Sequence, residues 1–85
     1  MDPATDPINH PAHYNQGGIE CIDAIAAATI GLKGLEAVCT GNAIKYLWRW
    51  KYKGKVEDLR KAVWYINRII SAEIKSSEGH DHANA

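Results

Sequence analysis

The sequence has no net charge, few cysteines and no long apolar segment, and each absence argues against a class of protein. Ten Lys and Arg residues balance ten Asp and Glu residues, whereas a general nucleic-acid-binding protein carries a clear excess of positive charge. The longest weakly polar run, residues 24–30, is far shorter than the roughly 20 apolar residues that cross a bilayer. We therefore expect neither a membrane nor nucleic acid as a partner.

The two cysteines, Cys21 and Cys39, are too few for a disulfide scaffold and fall on different predicted helices. Residues 2–11 are acidic and rich in proline, whereas an export signal would need an apolar segment there. We therefore expect both thiols to be reduced, inside a cytoplasm. The four histidines lie near the two ends of the chain without the spacing of a zinc site, so no metal site is predicted.

Catalytic motifs are also absent from the sequence. No Gly-x-x-x-x-Gly-Lys-Ser/Thr phosphate loop occurs, and no motif places a histidine beside a hydroxyl or a cysteine. Carboxylates occur singly or at helix starts, unlike the acidic pairs of a two-metal site. No catalytic residue and no cofactor is therefore predicted, and Mg²⁺ would be expected only if the chain transfers phosphoryl groups.

Helical periodicity predicts an all-α fold without strands. Apolar residues recur three and four apart in three segments, which predicts helix one from Ile19 to Ile30, helix two from Leu35 to Tyr52 and helix three from Val56 to Ser76. Three early prolines predict an irregular N-terminal arm over residues 1–12, before a helical domain of residues 13–76. The polar residues 77–85 are expected to be a disordered tail. Because 85 residues bury only a small core, we expect a homo-oligomer.

The predicted core consists of one apolar stripe on each helix. The stripes comprise Ile22, Ile25, Ala26 and Thr29 in helix one, Leu35, Val38, Cys39, Tyr46, Leu47 and Trp50 in helix two, and Val56, Leu59, Val63, Ile66 and Ile70 in helix three. The third stripe follows a short heptad pattern, and Ile69 and Ile74 widen it enough for a neighbouring subunit.

Positive charge and aromatic rings are concentrated in residues 41–65. This stretch holds seven of the ten basic residues, together with three tryptophans and three tyrosines. Within it, Lys45, Trp48, Arg49 and Tyr52 fall three and four apart, so their side chains project from one face of helix two. Cationic groups bind phosphate and aromatic faces stack on bases, so this face indicates a nucleotide site. Alternatively, the cations are solvated and Trp48 contacts another subunit.

Other polar residues could extend such a site. The backbone N–H groups of Gly17 and Gly18 precede helix one and could bind an anion, or the pair could simply form a loop. Glu20 could accept a hydrogen bond from a ligand hydroxyl, or it could stabilise the start of helix one. The amide of Asn42 lies within an apolar stripe and must be paired, either with protein or with a ligand.

The sequence resembles a family through three spaced motifs. They are His13-Tyr14 with Gly17-Gly18-Ile19-Glu20 and Ile22-Asp23, Gly41-Asn42 with Lys45-Tyr46 and Arg49, and Asp58-Leu59 with Lys61-Ala62 and Tyr65. Together they resemble the small bacteriophage proteins of domain-of-unknown-function family 3310, often described as phage nucleotide kinase-like, over His13 to Ile70. The resemblance implies a phage origin, contact with a nucleotide and a location in the cytoplasm of the infected bacterial host.

These observations together predict a phage-encoded homo-oligomer that binds a nucleotide at a subunit or helix junction. Phosphates would contact Lys45, Arg49 and Lys53, and a base would stack on Tyr14 or Trp48. His13 and Asn42 would supply polar recognition. The hypothesis includes sequestration of a linear or cyclic nucleotide signal of a bacterial anti-phage defence system. The alternatives are a nucleoside monophosphate kinase or an accessory fragment of one, and a protein-binding inhibitor of a host defence complex.

Overall fold

The computed structural model describes the backbone of residues 16–84 and the side chains of residues 17–77. A short 3-10 turn over Gln16–Gly18 leads into helices α1 (Cys21–Ala28), α2 (Gly34–Arg49) and α3 (Lys55–Asn84). Three helices and no strand within the described range confirm the all-α prediction. The predicted N-terminal arm, together with His13 and Tyr14, lies outside the described residues.

The helix ends differ from the predicted ones in physically understandable ways. α1 begins two residues later than predicted, because Glu20 has an extended backbone and its carbonyl accepts the amides of Asp23 and Ala24. α2 ends at Arg49, three residues early, where the connection to α3 begins. α3 continues to Asn84 rather than ending near Ser76, although the helical segment includes Gly79, whose cost of about 1 kcal/mol is well below that of proline.

α2 and α3 pack side by side as a helical hairpin, and α1 packs against α2. The buried apolar residues are small, namely Cys21, Cys39, Ala43 and Ala62. At the α1–α2 contact, a Cβ on Gly41 would lie 3.1 Å from Ile25 Cγ2, so the glycine lets the two helices approach closely. Small side chains therefore set the helix spacing in this core.

Many of the large apolar residues, in contrast, are exposed. On α3 five of them are between 38% and 58% exposed, and we name this set the outer stripe: Val56, Val63, Ile66, Ile70 and Ile74. Ile22, Leu35, Val38 and Leu47 of the other predicted stripes are also exposed. The stripes were thus predicted as the core, but much of their apolar surface is not covered by the described residues.

Candidate functional site

A buried ion pair links the end of α2 to the first turn of α3. Arg49 Nε donates to Asp58 Oδ2 at 3.1 Å, and Arg49 Nη2 donates to Oδ1 at 3.2 Å. The backbone N–H of Gly54 donates to the same Oδ2 at 2.9 Å. Asp58 is only 1% exposed, and the Arg49 side chain is 13% exposed. The two helices are therefore joined by a bidentate charged contact rather than by loop residues alone.

The connection needs a glycine at position 54 because a side chain would not fit there, and not because the backbone has an angle that only glycine adopts. The residue with positive φ in this turn is Lys55, at 53°, and not the glycine. A Cβ on Gly54 would overlap the carboxylate of Asp58. Only a residue without a side chain leaves room for the carboxylate to reach both the Gly54 N–H and the guanidinium of Arg49.

The surroundings of Asp58 keep its carboxylate ionised. Burial by itself raises the pKa of Asp58, because a charged group loses hydration. The hydrogen bonds from Arg49 and from the Gly54 amide, with the positive charges of Arg49 and Lys61, outweigh that effect. The pKa of Asp58 is therefore lowered, and the ion pair remains charged at neutral pH.

Three cationic side chains converge on the ring of Tyr46. Lys45 Nζ lies 4.6 Å, Arg49 Cζ 4.9 Å and Lys61 Nζ 5.4 Å from its centroid. The two ammonium groups are therefore at most about 10 Å apart. Cations within about 6 Å of an aromatic ring are attracted by its quadrupole, which helps to hold like charges close together. The ring of Tyr46 thus organises a compact positive centre.

Two further rings extend this centre into a shallow depression. Tyr46 and Tyr65 stack with centroids 6.0 Å apart, and Trp64 meets the Tyr65 ring edge-on at 5.0 Å. A depression of about 290 Å³ is lined by Tyr46, Lys61, Trp64 and Tyr65, and we name it the tyrosine cleft. Trp64 is 60% exposed, so its ring is accessible to a ligand from solvent.

The predicted site residues occupy different parts of the structure. Lys45 and Arg49 both lie over the ring of Tyr46, which lines the tyrosine cleft, but two of the three guanidinium nitrogens of Arg49 donate to Asp58. Asn42, one turn before Tyr46, is half-buried, as is Trp48, while Lys53 is exposed in the α2–α3 connection. A ligand role for each of these residues stays a prediction.

The glycine turn and Glu20 lie at the amino end of α1. Gly17 and Gly18 have φ values of 64° and 78°, which other residues adopt at a cost. Burial raises the pKa of the nearby Cys21 thiol, and the positive charge of Lys45 partly opposes that shift. Anion binding by the two glycine amides stays a prediction.

The residues that α3 contributes to the cleft were not among the predicted site residues. Lys61, Trp64 and Tyr65 line the cleft although only helix two was predicted to carry the ligand face. Their spacing of three and four residues was a usable signal, because it places them together on one face of a helix.

The described residues contain no group of three or more potential metal ligands. No helix in the described part is long and apolar enough to span a bilayer.

A pair of carboxylates lies at the other end of the hairpin. A hydrogen bond with Glu73 of α3 and the negative charge of that residue raise the pKa of Glu36 of α2. A folded-state pKa above the unfolded value means that stability is lost as the pH rises through the folded pKa. The protonated carboxyl of Glu36 can donate a hydrogen bond to Glu73, whereas the ionised carboxylate of Glu36 is repelled by the negative charge of Glu73.

Glu36→Gln is therefore expected to raise the melting temperature at neutral pH and to reduce the loss of stability on raising the pH from about 4 to about 8. The amide can donate to Glu73 without carrying charge. Thermal unfolding followed by circular dichroism across this range measures the effect. Glu73→Gln is the reciprocal control and should act in the same direction. If both variants keep the wild-type dependence of the melting temperature on pH, the two carboxylates do not interact in solution.

These features define a class of protein: an all-α chain whose helical hairpin is closed by a buried arginine–aspartate pair beside a cationic, aromatic cleft. The chain belongs to the family described as Protein of unknown function (DUF3310), whose model matches residues 8–67. The predicted family is thereby confirmed, whereas the phage origin and the likeness to nucleotide kinases stay predictions. The match includes the ion pair and all residues of the tyrosine cleft. Searches of curated proteins and of solved structures found no match.

Proposed function

We propose that the protein binds a nucleotide at the tyrosine cleft and sequesters it without chemical change. The observation that carries this proposal is the convergence of the Lys45 and Lys61 ammonium groups on one aromatic ring. Ammonium groups form charge-assisted hydrogen bonds with phosphate. The exposed ring of Trp64, beside Lys61, offers a surface on which a base can stack, a contact that contributes roughly 1–3 kcal/mol.

The charge of the cleft supports an anionic ligand. Arg49 is neutralised by Asp58, but among the described side chains neither Lys45 nor Lys61 forms an ion pair with a carboxylate. The volume of about 290 Å³ is at the lower end of the roughly 300–1,000 Å³ of small-molecule pockets. A nucleotide would therefore lie with its phosphates on the lysines and its base partly exposed, unless a second subunit covers it.

The assembled form in this proposal is a homo-oligomer held together by the outer stripe. The stripe repeats at heptad-like spacing along about 27 Å of α3. Exposed apolar surface of this extent marks an interaction site, and a second copy offers the same aliphatic chemistry. The described core is made of small residues, so association would supply the apolar burial that the single chain lacks.

The biological role that we propose follows from the family resemblance. In a bacteriophage, a small nucleotide-binding protein would sequester a nucleotide signal, linear or cyclic, of a bacterial anti-phage defence system in the cytoplasm of the host. Among the described residues, those lining the cleft include no carboxylate that could hold Mg²⁺ for phosphoryl transfer. This composition favours sequestration over the kinase alternative.

Replacing Lys45 and Lys61 together by alanine is expected to weaken nucleotide binding by about 100-fold or more, because two charged hydrogen bonds of roughly 1.5–3 kcal/mol each are lost. Isothermal titration calorimetry with adenosine and guanosine mono-, di- and triphosphates, and with cyclic mononucleotides, measures the affinity. Lys33→Ala with Lys51→Ala is the matched control, since it removes the same charge from exposed positions outside the cleft.

Two outcomes would contradict the proposal. If the two double variants bind nucleotides with equal affinity, the cleft is not the binding site. If no nucleotide binds the wild-type chain, the proposed function is wrong. Incubation with Mg²⁺ and a phosphate donor separates sequestration from catalysis. A sequestering protein returns its ligand intact after denaturation, whereas a kinase returns the diphosphate. Nucleotide-independent capture of a host protein would instead favour the inhibitor alternative.

A further inference from the structure

A second, larger depression lies further along the hairpin. It measures about 730 Å³ and is lined by Leu35 at the start of α2 and by α3 residues that include Arg68, Ser71 and Lys75, and it borders the outer stripe at Ile74. We name it the distal groove. Arg68, Ser71 and Lys75 are all exposed, so the groove is open to solvent and positively charged.

A row of cations connects the tyrosine cleft with the distal groove. Lys61, Arg68 and Lys75 recur at intervals of seven residues, which is close to two full helical turns. They therefore line up along one side of α3 with about 10.5 Å between neighbours. Lys61 lines the cleft, whereas Arg68 and Lys75 line the distal groove. The positive surface thus continues for about 21 Å along the helix.

Little negative charge is exposed along this row, because the carboxylate near Lys61, that of Asp58, is buried in its pair with Arg49. From Lys61 to Ser76, Glu73 is the only acidic residue of α3. Glu73 interacts with Glu36 of α2, and neither carboxylate lines the distal groove. The chain is neutral as a whole, which argues against a general nucleic-acid binder. The local arrangement nevertheless gives one face a positive field that net charge does not report.

We propose that the ligand of this face is a short single-stranded oligonucleotide, which runs from the tyrosine cleft into the distal groove. This inference rests on the proposed nucleotide site and names its class of ligand. A mononucleotide at Lys45 and Lys61 would leave Arg68 and Lys75 unused. A stacked strand advances about 3.4 Å per nucleotide, so the 21 Å row corresponds to about six nucleotides, and to fewer in a stretched strand.

The aromatic and polar residues of the face fit such a strand. Trp64 lies between Lys61 and Arg68 in the helical sequence and is 60% exposed, so a base can stack on it while phosphates meet the flanking cations. Ser71 likewise lies between Arg68 and Lys75 in the helical sequence, and its hydroxyl can donate a hydrogen bond to a phosphate. Alternating cations and stacking surfaces are typical of proteins that bind single strands without strict sequence preference.

The test measures how affinity depends on strand length. Fluorescence anisotropy with labelled thymidine and uridine oligonucleotides of about one, two, four, six and eight units should show affinity rising to about six units and then levelling. Arg68→Ala with Lys75→Ala should weaken six-unit binding about tenfold or more and lower the slope of log affinity against log salt by about 1.4. Mononucleotide binding should be unchanged by that double variant.

Further measurements separate the inference from the function on which it rests. If the mononucleotide binds and the six-unit strand binds no more tightly, the oligonucleotide inference fails while the nucleotide site stands. If neither binds, both fail. Trp64→Ala should weaken binding of the six-unit strand roughly 5- to 150-fold. An abasic strand of the same length that binds as tightly as the complete one would also overturn the inference, because stacking would then contribute nothing.

Discussion

Asp58→Ala is expected to lower the free energy of unfolding by roughly 3 kcal/mol or more, because it removes the buried carboxylate that pairs with the partly buried Arg49 guanidinium. The N–H of Gly54 loses its acceptor at the same time. Small domains are stable by only about 5–15 kcal/mol, so the loss is a large fraction of the total. Urea unfolding followed by circular dichroism, with the linear extrapolation to water, gives the difference.

The neighbouring carboxylate provides the control for this prediction. Glu57 is exposed on the same first turn of α3, and Glu57→Ala should cost no more than about 1 kcal/mol through the helix dipole. Asp58→Asn keeps an acceptor for the Gly54 amide but removes the charge, so an intermediate loss is expected. If Asp58→Ala and Glu57→Ala destabilise the chain equally, the ion pair does not hold the hairpin together.

The pH dependence of these variants adds a readout specific to the charge. The folded-state pKa of Asp58 is lowered, so its contribution to stability is present above the unfolded pKa of about 4 and is lost as the pH falls through the folded value. The wild-type chain should therefore lose stability in acid faster than Asp58→Asn does. Gly54→Ala, whose Cβ would displace the same carboxylate, should destabilise the chain without any change of charge.

The helices could be predicted from the sequence because periodicity is a local property. Apolar residues three and four apart identified all three helices, and the described residues contain no strand. The role of Asp58 could not be read in the same way. As the fourth residue of α3 it is typical of a carboxylate near a helix start, and its bond to Arg49 depends on how the connection between the helices folds back.

The residues that cover each apolar helix face also could not be predicted from local sequence patterns. The sequence shows which side of a helix is apolar, but not which neighbour covers it. Ala43 and Ala62 are buried, while the larger Val63 and Ile66 are exposed. A pattern that counts large aliphatic residues therefore predicts the outer stripe as core. The tyrosine cleft was predicted only in part for the same reason. Lys45 was identified on α2 as a site residue, but Lys61 on α3, which approaches the same ring, was not.

Ile66→Asp combined with Ile70→Asp is expected to convert the proposed oligomer to monomers, weakening association by about a thousandfold or more. Each isoleucine is about half exposed in the single chain, so its further burial contributes roughly 1 kcal/mol per subunit. A carboxylate in an apolar contact adds a desolvation cost of several kcal/mol. Sedimentation equilibrium over a range of protein concentrations measures the change.

The position of these substitutions makes the test selective for association. Because the outer stripe is exposed in the single chain, the double variant should keep its helical circular dichroism spectrum while losing mass. Val38→Asp is the matched control, since Val38 is 58% exposed on α2 and outside the stripe. A wild-type chain that stays monomeric at every concentration would rule out the proposed assembly. Dissociation by Val38→Asp alone would move the subunit contact from α3 to α2.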